Sequence, residues 1–368
     1  MGICISAASS QIRHETKVTA ICAANELAFE EQRSDSVCSK QGNKGINQDA
    51  AFVYQEYGEQ GRALFGVFDG HGTNGHTVSN MAKNRLPALL LSAVSKAETD
   101  FVGWKEAMVT AFKVMDKEIK LQENLDCSFS GTTAVIILKQ GEDLVIANLG
   151  DSRAVMGRVT ENGIEAVQLT TDLKPGLPDE AERIRKCNGR VLALQEEPHI
   201  QRVWLPKEDA PGLAMSRAFG DFALKEHGII ALPDVSYRRL APDDHFIVLA
   251  TDGIWDVLSN DEVASIVSKA ESEEAAAKAV VEAATEAWKR YPASKLDDRT
   301  VTAMWVKLRD PYKLEPSFSA VGTAMSGRVL KAAGFIEGSD SEIMIQKFVV
   351  KWNMLPRLIM ENDNKFSR

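Results

Sequence analysis

Cysteine is scarce, with five residues in 368: Cys4, Cys22, Cys38, Cys127 and Cys187. Their number is odd and none forms a C-x-x-C pair, which excludes a disulfide framework and a cysteine zinc site and fits a reducing compartment. Basic charge is also in deficit: 43 Lys and Arg stand against 52 Asp and Glu, for a formal net charge of −9. That balance is ill suited to neutralising phosphate backbones, so nucleic acid is not an expected partner. Long apolar runs are missing; stretches such as 134–138 and 246–250 fall far short of the roughly 18 residues a bilayer span needs. The phosphate loop G-x-x-x-x-G-K-[ST] and the nucleophile elbow G-x-S-x-G are absent. No cysteine has an arginine six positions on, which excludes a C-x5-R thiol loop. The remaining composition, 44% hydrophobic and 26% charged, is that of an ordinary globular chain.

The chain opens Met1-Gly2-Ile3-Cys4-Ile5-Ser6, matching the acceptor pattern for N-myristoylation at Gly2, with Cys4 as an adjoining palmitoylation site. One acyl chain binds a membrane marginally, whereas two hold it. The alternative is an untethered arm, and the residues leave both open. The start does not read as a secretory signal, because it lacks a basic n-region and a long apolar h-region. The expected location is cytoplasmic, at a membrane if the lipids are attached, with nuclear access left open. Residues 1–35 are read as an N-terminal arm, 36–310 as one domain without internal repeat, and 311–368 as a C-terminal extension. Within that extension 343–360 is apolar with scattered Lys, Trp352 and Pro356, and Pro356 would break a long helix. A docking helix, a partner-binding tail and an unordered extension all fit, and the last is preferred.

Short apolar and β-branched runs bounded by Gly or Asp predict strands at 51–54, 64–68, 133–138, 144–148, 154–156 and 246–251. Met108, Phe112, Met115 and Ile119 fall on one face of a helix. An Ala- and Glu-rich stretch at 271–290 predicts another. Strands 133–138 and 144–148 flank Gln140-Gly141-Glu142, which suggests a hairpin, antiparallel pairing and sheets covered by helices.

Aspartates sit at strand ends. Asp69 closes the run 64–68 before Gly70-His71-Gly72, Asp252 closes 246–251 before Gly253, and Asp151 follows Ala147-Asn148-Leu149-Gly150. Asp49 precedes 51–54, and Asp297-Asp298 precedes a further apolar run at 301–305. Carboxylates converging in one cleft repel one another unless cations lie between them. An oxygen-only donor set suits hard ions such as Mg2+ or Mn2+ rather than zinc. Against this stands the ordinary use of Asp before Gly as a turn or cap residue, more probable for any one of them than for the set. Gly70-His71-Gly72-Thr73-Asn74-Gly75 also matches the dinucleotide fingerprint G-x-G-x-x-G. Asp69 argues against it, because a carboxylate there would face the pyrophosphate. About 20 residues on, where a ribose-binding acid belongs, stands Leu89-Leu90-Leu91.

These residues resemble a known family, the metal-dependent Ser/Thr protein phosphatases of the 2C type, in particular their plant members. The matching motifs are Gly45-Ile46-Asn47-Gln48-Asp49-Ala50, Phe65-Gly66-Val67-Phe68-Asp69-Gly70-His71-Gly72, Ser130-Gly131-Thr132-Thr133-Ala134 and Ala147-Asn148-Leu149-Gly150-Asp151-Ser152-Arg153-Ala154. Glu180-Ala181-Glu182-Arg183-Ile184, Leu213-Ala214-Met215-Ser216-Arg217-Ala218-Phe219-Gly220-Asp221, Ala250-Thr251-Asp252-Gly253-Ile254-Trp255-Asp256-Val257 and Asp297-Asp298 follow in the family's order. The resemblance implies an α+β sandwich of two stacked antiparallel sheets flanked by helices, with metals in a cleft at one edge. It casts Asp69 as the carboxylate bridging two ions, with the Gly70 carbonyl on one and Asp252 and Asp297 on the other. Asp49 would hold metal-bound waters, and Asp151 with Asp256 would join Asp252 around a weaker third ion. His71 resembles the general acid.

The implied reaction is single-step hydrolysis of phosphoserine and phosphothreonine in proteins by a hydroxide bridging two Mg2+ or Mn2+ ions, without a covalent phosphoenzyme. Implied partners are phosphorylated proteins, either kinases or their targets, with the chain a monomer. Two positions depart from the family. Lys44 stands where many members carry a phosphate-gripping arginine, keeping the charge and losing the bidentate fork. Gln48 stands where animal relatives often have Glu. The alternative function is a catalytically weak pseudophosphatase acting as a kinase-binding regulator; the complete aspartate set favours the enzyme.

Overall fold

The central strands of the two main sheets are apolar on both faces because each of those sheets is covered twice, by the other sheet on one side and by helices on the other. The computed structural model describes residues 37–97, 100–292 and 296–305. The arm at 1–35, with Gly2 and Cys4, and the extension at 311–368 lie outside the described residues.

The chain begins with β1 (Val37–Lys40), β2 (Ala50–Tyr54), β3 (Arg62–Phe68) and the two-residue β4 (Gly70–His71). Two long helices follow, α1 (Gly75–Val94) and α2 (Phe101–Lys120), then β5 (Gly131–Thr132), β6 (Ala134–Gln140), β7 (Asp143–Leu149), β8 (Arg153–Thr160) and β9 (Gly163–Gln168). Next come α3 (Pro178–Lys186), β10 (Arg190–Ala193), β11 (Gln201–Trp204), β12 (Pro211–Leu213), β13 (Phe219–Gly220) and the one-turn α4 (Phe222–Lys225). The described chain closes with β14 (Asp234–Arg239), β15 (Asp244–Ala250), α5 (Asp252–Trp255), α6 (Asn260–Ser268), α7 (Glu273–Trp288) and β16 (Arg299–Trp305).

One five-stranded antiparallel sheet runs β14-β7-β6-β3-β2 and the other β1-β16-β15-β8-β9. Period-2 alternation sorts their side chains into layers. Phe65 and Val67 of β3, Val135 and Ile137 of β6, and Ile247 and Leu249 of β15 fill the layer between the sheets. The alternate residues Leu64, Phe68, Ile136 and Leu138 pack with Leu86, Leu90, Met108 and Phe112 of α1 and α2. On the other outer face Phe246 and Val248 pack with Val263 and Val267 of α6 and Val280 of α7. The result is the expected α+β sandwich of stacked antiparallel sheets flanked by helices. Each buried Leu, Ile or Phe contributes roughly 1.5–3 kcal/mol.

The predicted hairpin is β6 to β7, with Gln140 opposite Asp143 across a two-residue turn. Gly141, at φ 59°, supplies the positive φ that such a turn needs. The helix face Met108, Phe112, Met115 and Ile119 is buried on α2, which Asp100 caps by accepting from Gly103 N at 2.7 Å. The helix predicted at 271–290 is α7, capped by Ser272. Strands β9, β10, β11 and β14 were not foreseen, because half or more of the residues in each are not buried and their apolar pattern is diluted. Strands β10, β11 and β12 form a small sheet beside the sandwich. That sheet packs with α3 around Ile184, Val203, Leu213 and Leu224.

Candidate active site

Strand register carries the predicted aspartates to one edge. Ala50 pairs with Phe68, so Asp49 and Asp69, one residue beyond each, emerge together. Ala250 pairs with both Val301 and Arg153. The segments bearing Asp252, Asp297-Asp298 and Asp151 are therefore neighbours at the end of the second sheet. Thr251 stitches the two ends together: its hydroxyl donates to Asp49 Oδ2 at 2.9 Å, and it accepts from Thr300 N at 3.2 Å.

Burial and mutual repulsion leave these carboxylates far from their ordinary state. Burial pushes Asp49 up to about 7, against the pull of hydrogen bonds from Thr300 and Thr251 and with the help of Asp298 and Asp297. Asp69 is held well above the carboxylate range by burial and then by Asp252, Asp49, Asp297 and Asp151. Asp252 is raised likewise, by burial and then by Asp256, Asp151 and Asp297. Burial raises Asp151 to about 6, with Lys174 opposing and Asp172 and Asp256 reinforcing. Asp256 itself is exposed.

Asp297 and Asp298, adjacent in sequence, differ in use. Both oxygens of Asp298 accept backbone N–H groups, from Gly42 and Gln48, each at 2.7 Å. Its role is to tie β16 to the segment before β2. Asp297 faces the carboxylates and pairs with Lys44. Lys174, unnoticed in the sequence, stands 3.8 Å from Asp151 Oδ2 as a second cation at the cluster. Gln48 braces the turn beyond β4, its amide donating to Gly72 O at 3.0 Å. At Gly70 a Cβ would lie 2.5 Å from the carbonyl oxygens of Gln48 and Gly75, so only glycine lets those segments close on the site.

The donor set fits a hard divalent cation. It offers only oxygens, its charges repel one another, and Asp151 Oδ1 is buried without a hydrogen-bond partner. Among the described residues no three Asp, Glu, His or Cys side chains close into a cage around an ion.

His71 lies on β4, beside the cluster. Burial draws its pKa down, but the charge and hydrogen bond of Asp221, with Asp151 behind them, leave it raised above 6.5. Its Nε2 is 2.7 Å from Asp221 Oδ2. Asp221 was missed because an Asp just before a short helix reads as a cap, and 150 residues separate it from His71.

Two stacked antiparallel sheets flanked by helices deliver acids from both layers and a histidine to one edge, an α+β sandwich with a carboxylate-rich site. The family profile described as "Protein phosphatase 2C" matches residues 33–290. A relative named "Probable protein phosphatase 2C 72" from Arabidopsis thaliana is 51% identical over 329 residues, covering 84% of this chain and 99% of its own. "Probable protein phosphatase 2C 64" from Oryza sativa subsp. japonica is 52% identical over 280 residues, covering 74% of this chain and 66% of the relative. Among solved structures, a serine-threonine phosphatase 2C from Toxoplasma gondii superposes with a TM-score of 0.66 at 27% identity, covering 74% of this chain and 94% of the other. The chain belongs to the protein phosphatase 2C family, whose members are metal-dependent protein-serine/threonine phosphatases.

Proposed function

We propose that the chain hydrolyses phosphoserine and phosphothreonine in proteins in one step, by direct attack of water on phosphorus. The observation that carries this reading is the convergence of Asp49, Asp69, Asp151 and Asp252, which burial and mutual repulsion keep far above the carboxylate range. Asp69, Gly70, Asp252 and Asp297 would hold two Mg2+ or Mn2+ ions, with Asp49 on their waters. Asp151, Asp252 and Asp256 would hold a weaker third. When bound, such ions supply positive charge to the phosphate oxygens and lower the pKa of a water towards neutrality. Lys44 adds a fixed positive charge for the incoming phosphate, and His71 gives a proton to the departing serine or threonine oxygen. Nothing in the site favours the binding-only pseudophosphatase.

The test is release of phosphate from a phosphothreonine peptide with Mn2+, with EDTA and Asp69→Asn as controls. Kinases or their phosphorylated targets are the proposed substrates. Attachment of the monomer to membranes through acylated Gly2 and Cys4 is a separate element of the proposal; Gly2→Ala is expected to move the protein from the membrane to the soluble, cytoplasmic fraction. An unchanged membrane fraction would remove the lipid anchor from the account.

A further inference from the structure

We infer that Arg153 is a positioning residue for the cation site: it clamps together the segments that bear Asp151, Asp252 and Asp256 and so sets how tightly they hold the weaker ion, an inference that rests on the phosphatase reading above. Arg153 opens β8, two residues after Asp151. Its side chain is 18% exposed, and each guanidinium nitrogen donates to a partner. Nε and Nη2 donate to Oδ1 and Oδ2 of Asp172 at 2.9 and 2.6 Å, a bidentate fork. Nη1 donates to Oδ1 of Asn260, the first residue of α6, at 2.7 Å. The guanidinium carbon lies 5.1 Å from the centre of the Trp255 ring, in the range of a cation–π contact. One side chain thus joins the start of β8, the loop after β9 and the turn that leads into α6.

Each of these contacts bears on a carboxylate of the cluster. Trp255 lies between the two acids of the α5 region, three residues after Asp252 and one before Asp256. The helix α5 is a single turn of four residues, too short to hold its own shape. Its support is external: Trp255 Nε1 donates to Ala250 O at 2.8 Å, and the ring faces Arg153. Asp172 belongs to a loop that brackets Asp151 on both sides. Leu173 N–H donates to Gly150 O at 2.9 Å, and Asn148 Nδ2 donates to Thr171 O at 2.7 Å. Beyond Asp151, Ala154 N–H donates to Thr170 Oγ1 at 3.0 Å. Within this frame Asp151 Oδ1 is buried and has no hydrogen-bond partner, an acceptor left open for a cation. The three acids lie within electrostatic reach of one another: Asp256 acts on both Asp151 and Asp252, and Asp151 acts on Asp252.

The plain alternative is a half-buried Arg–Asp pair that only stabilises the fold. Such a pair would raise the melting temperature without changing the affinity for metal. A group that orients metal ligands from behind has the other signature, a loss of roughly 10- to 100-fold in metal affinity when it is removed. Arg153→Lys separates the two, because lysine keeps the positive charge and loses both the fork and the planar face that lies on Trp255.

Mn2+ binding to the full chain, followed by isothermal titration calorimetry and by electron paramagnetic resonance of the free ion, tests the clamp without turnover. The wild type is expected to bind Mn2+ in a tight class and a weaker class. Arg153→Lys is expected to loosen the weaker class roughly tenfold, with a smaller change in the tight class. Asp172→Asn removes the other half of the fork and should act in the same way. The double variant should lose no more than the larger of the two single losses, because the fork is one device. Unchanged Mn2+ affinity in Arg153→Lys, even with a lower melting temperature, would overturn the inference. Additive losses in the double variant, or a wild type without a weaker class, would overturn it as well. If Arg153→Lys did not fold, Asp172→Asn alone would decide, its weaker class either loosened or unchanged. A wild type that bound Mn2+ in both classes but released no phosphate from a phosphothreonine peptide would end the phosphatase reading, while the titrations would still decide the clamp.

Discussion

Lys44 Nζ and Asp297, 253 residues apart in the chain, form an ion pair beside the carboxylate cluster. Burial of the amine opposes its charge, but Asp297, Asp252 and Asp69 outweigh burial and raise its pKa. A cation is thus kept beside the cluster, where the proposed phosphate would bind. A hydrogen bond to a charged group is worth about 1.5 kcal/mol, so Lys44→Ala is expected to raise KM for a phosphopeptide roughly tenfold with a smaller change in kcat. Lys44→Arg should lower KM, because the guanidinium adds a second donor. Steady-state kinetics check both, and identical KM values across the three proteins would place the phosphate elsewhere.

The cluster ties stability to pH in the metal-free protein. Asp49 and Asp151 titrate near 7 and 6 when folded, against 3.8 ordinarily. Protons therefore bind the folded state more tightly than the unfolded one. The resulting stability is complete below about pH 4 and is lost as pH rises through 6 and 7. In EDTA the melting temperature is expected to fall between pH 5 and 8. At pH 8 Mn2+ should raise it again, adding about 2.7 kcal/mol of stability at a hundred times its dissociation constant. Differential scanning calorimetry across pH, with and without metal, measures both.

Glu180 governs the opposite pH range. Its oxygens accept from Arg183 at 2.7 Å, from Arg217 at 2.6 and 3.0 Å and from Ser216 at 2.5 Å. Burial raises its pKa, but the Arg183, Arg217 and Ser216 hydrogen bonds outweigh burial and bring it to about 2. This contribution is present above about pH 4.5 and lost as pH falls through 2. Glu180→Ala leaves two arginines without their carboxylate, and urea unfolding at pH 7 should show a loss of about 3 kcal/mol. The variant should also lack the wild type's decline between pH 4.5 and 2.

Much of the fold was legible because both faces of β3, β6, β7 and β15 are buried, so that their residues read as continuous apolar runs. Asp69, Asp151 and Asp252 were legible for the same reason, each lying just past the end of such a run. What pattern does not carry is pairing between distant segments. Asp221 and His71 meet only because two-residue strands share β5. Likewise, Asp297 and Asp298 look alike in sequence, and only backbone geometry assigns Asp298 to Gly42 and Gln48. Strand β9 was hidden by its exposed alternate residues.

On the proposed function, hydrolysis of phosphoprotein by this chain depends on the Asp69 cluster and on the metal it would hold. Phosphate release from a phosphothreonine peptide, compared for the wild type in Mn2+, the wild type in EDTA and folded Asp69→Asn in Mn2+, tests it most directly. Turnover is expected in the first alone, with the other two at least about a hundredfold lower. Equal turnover in EDTA, or full turnover by Asp69→Asn, would contradict it.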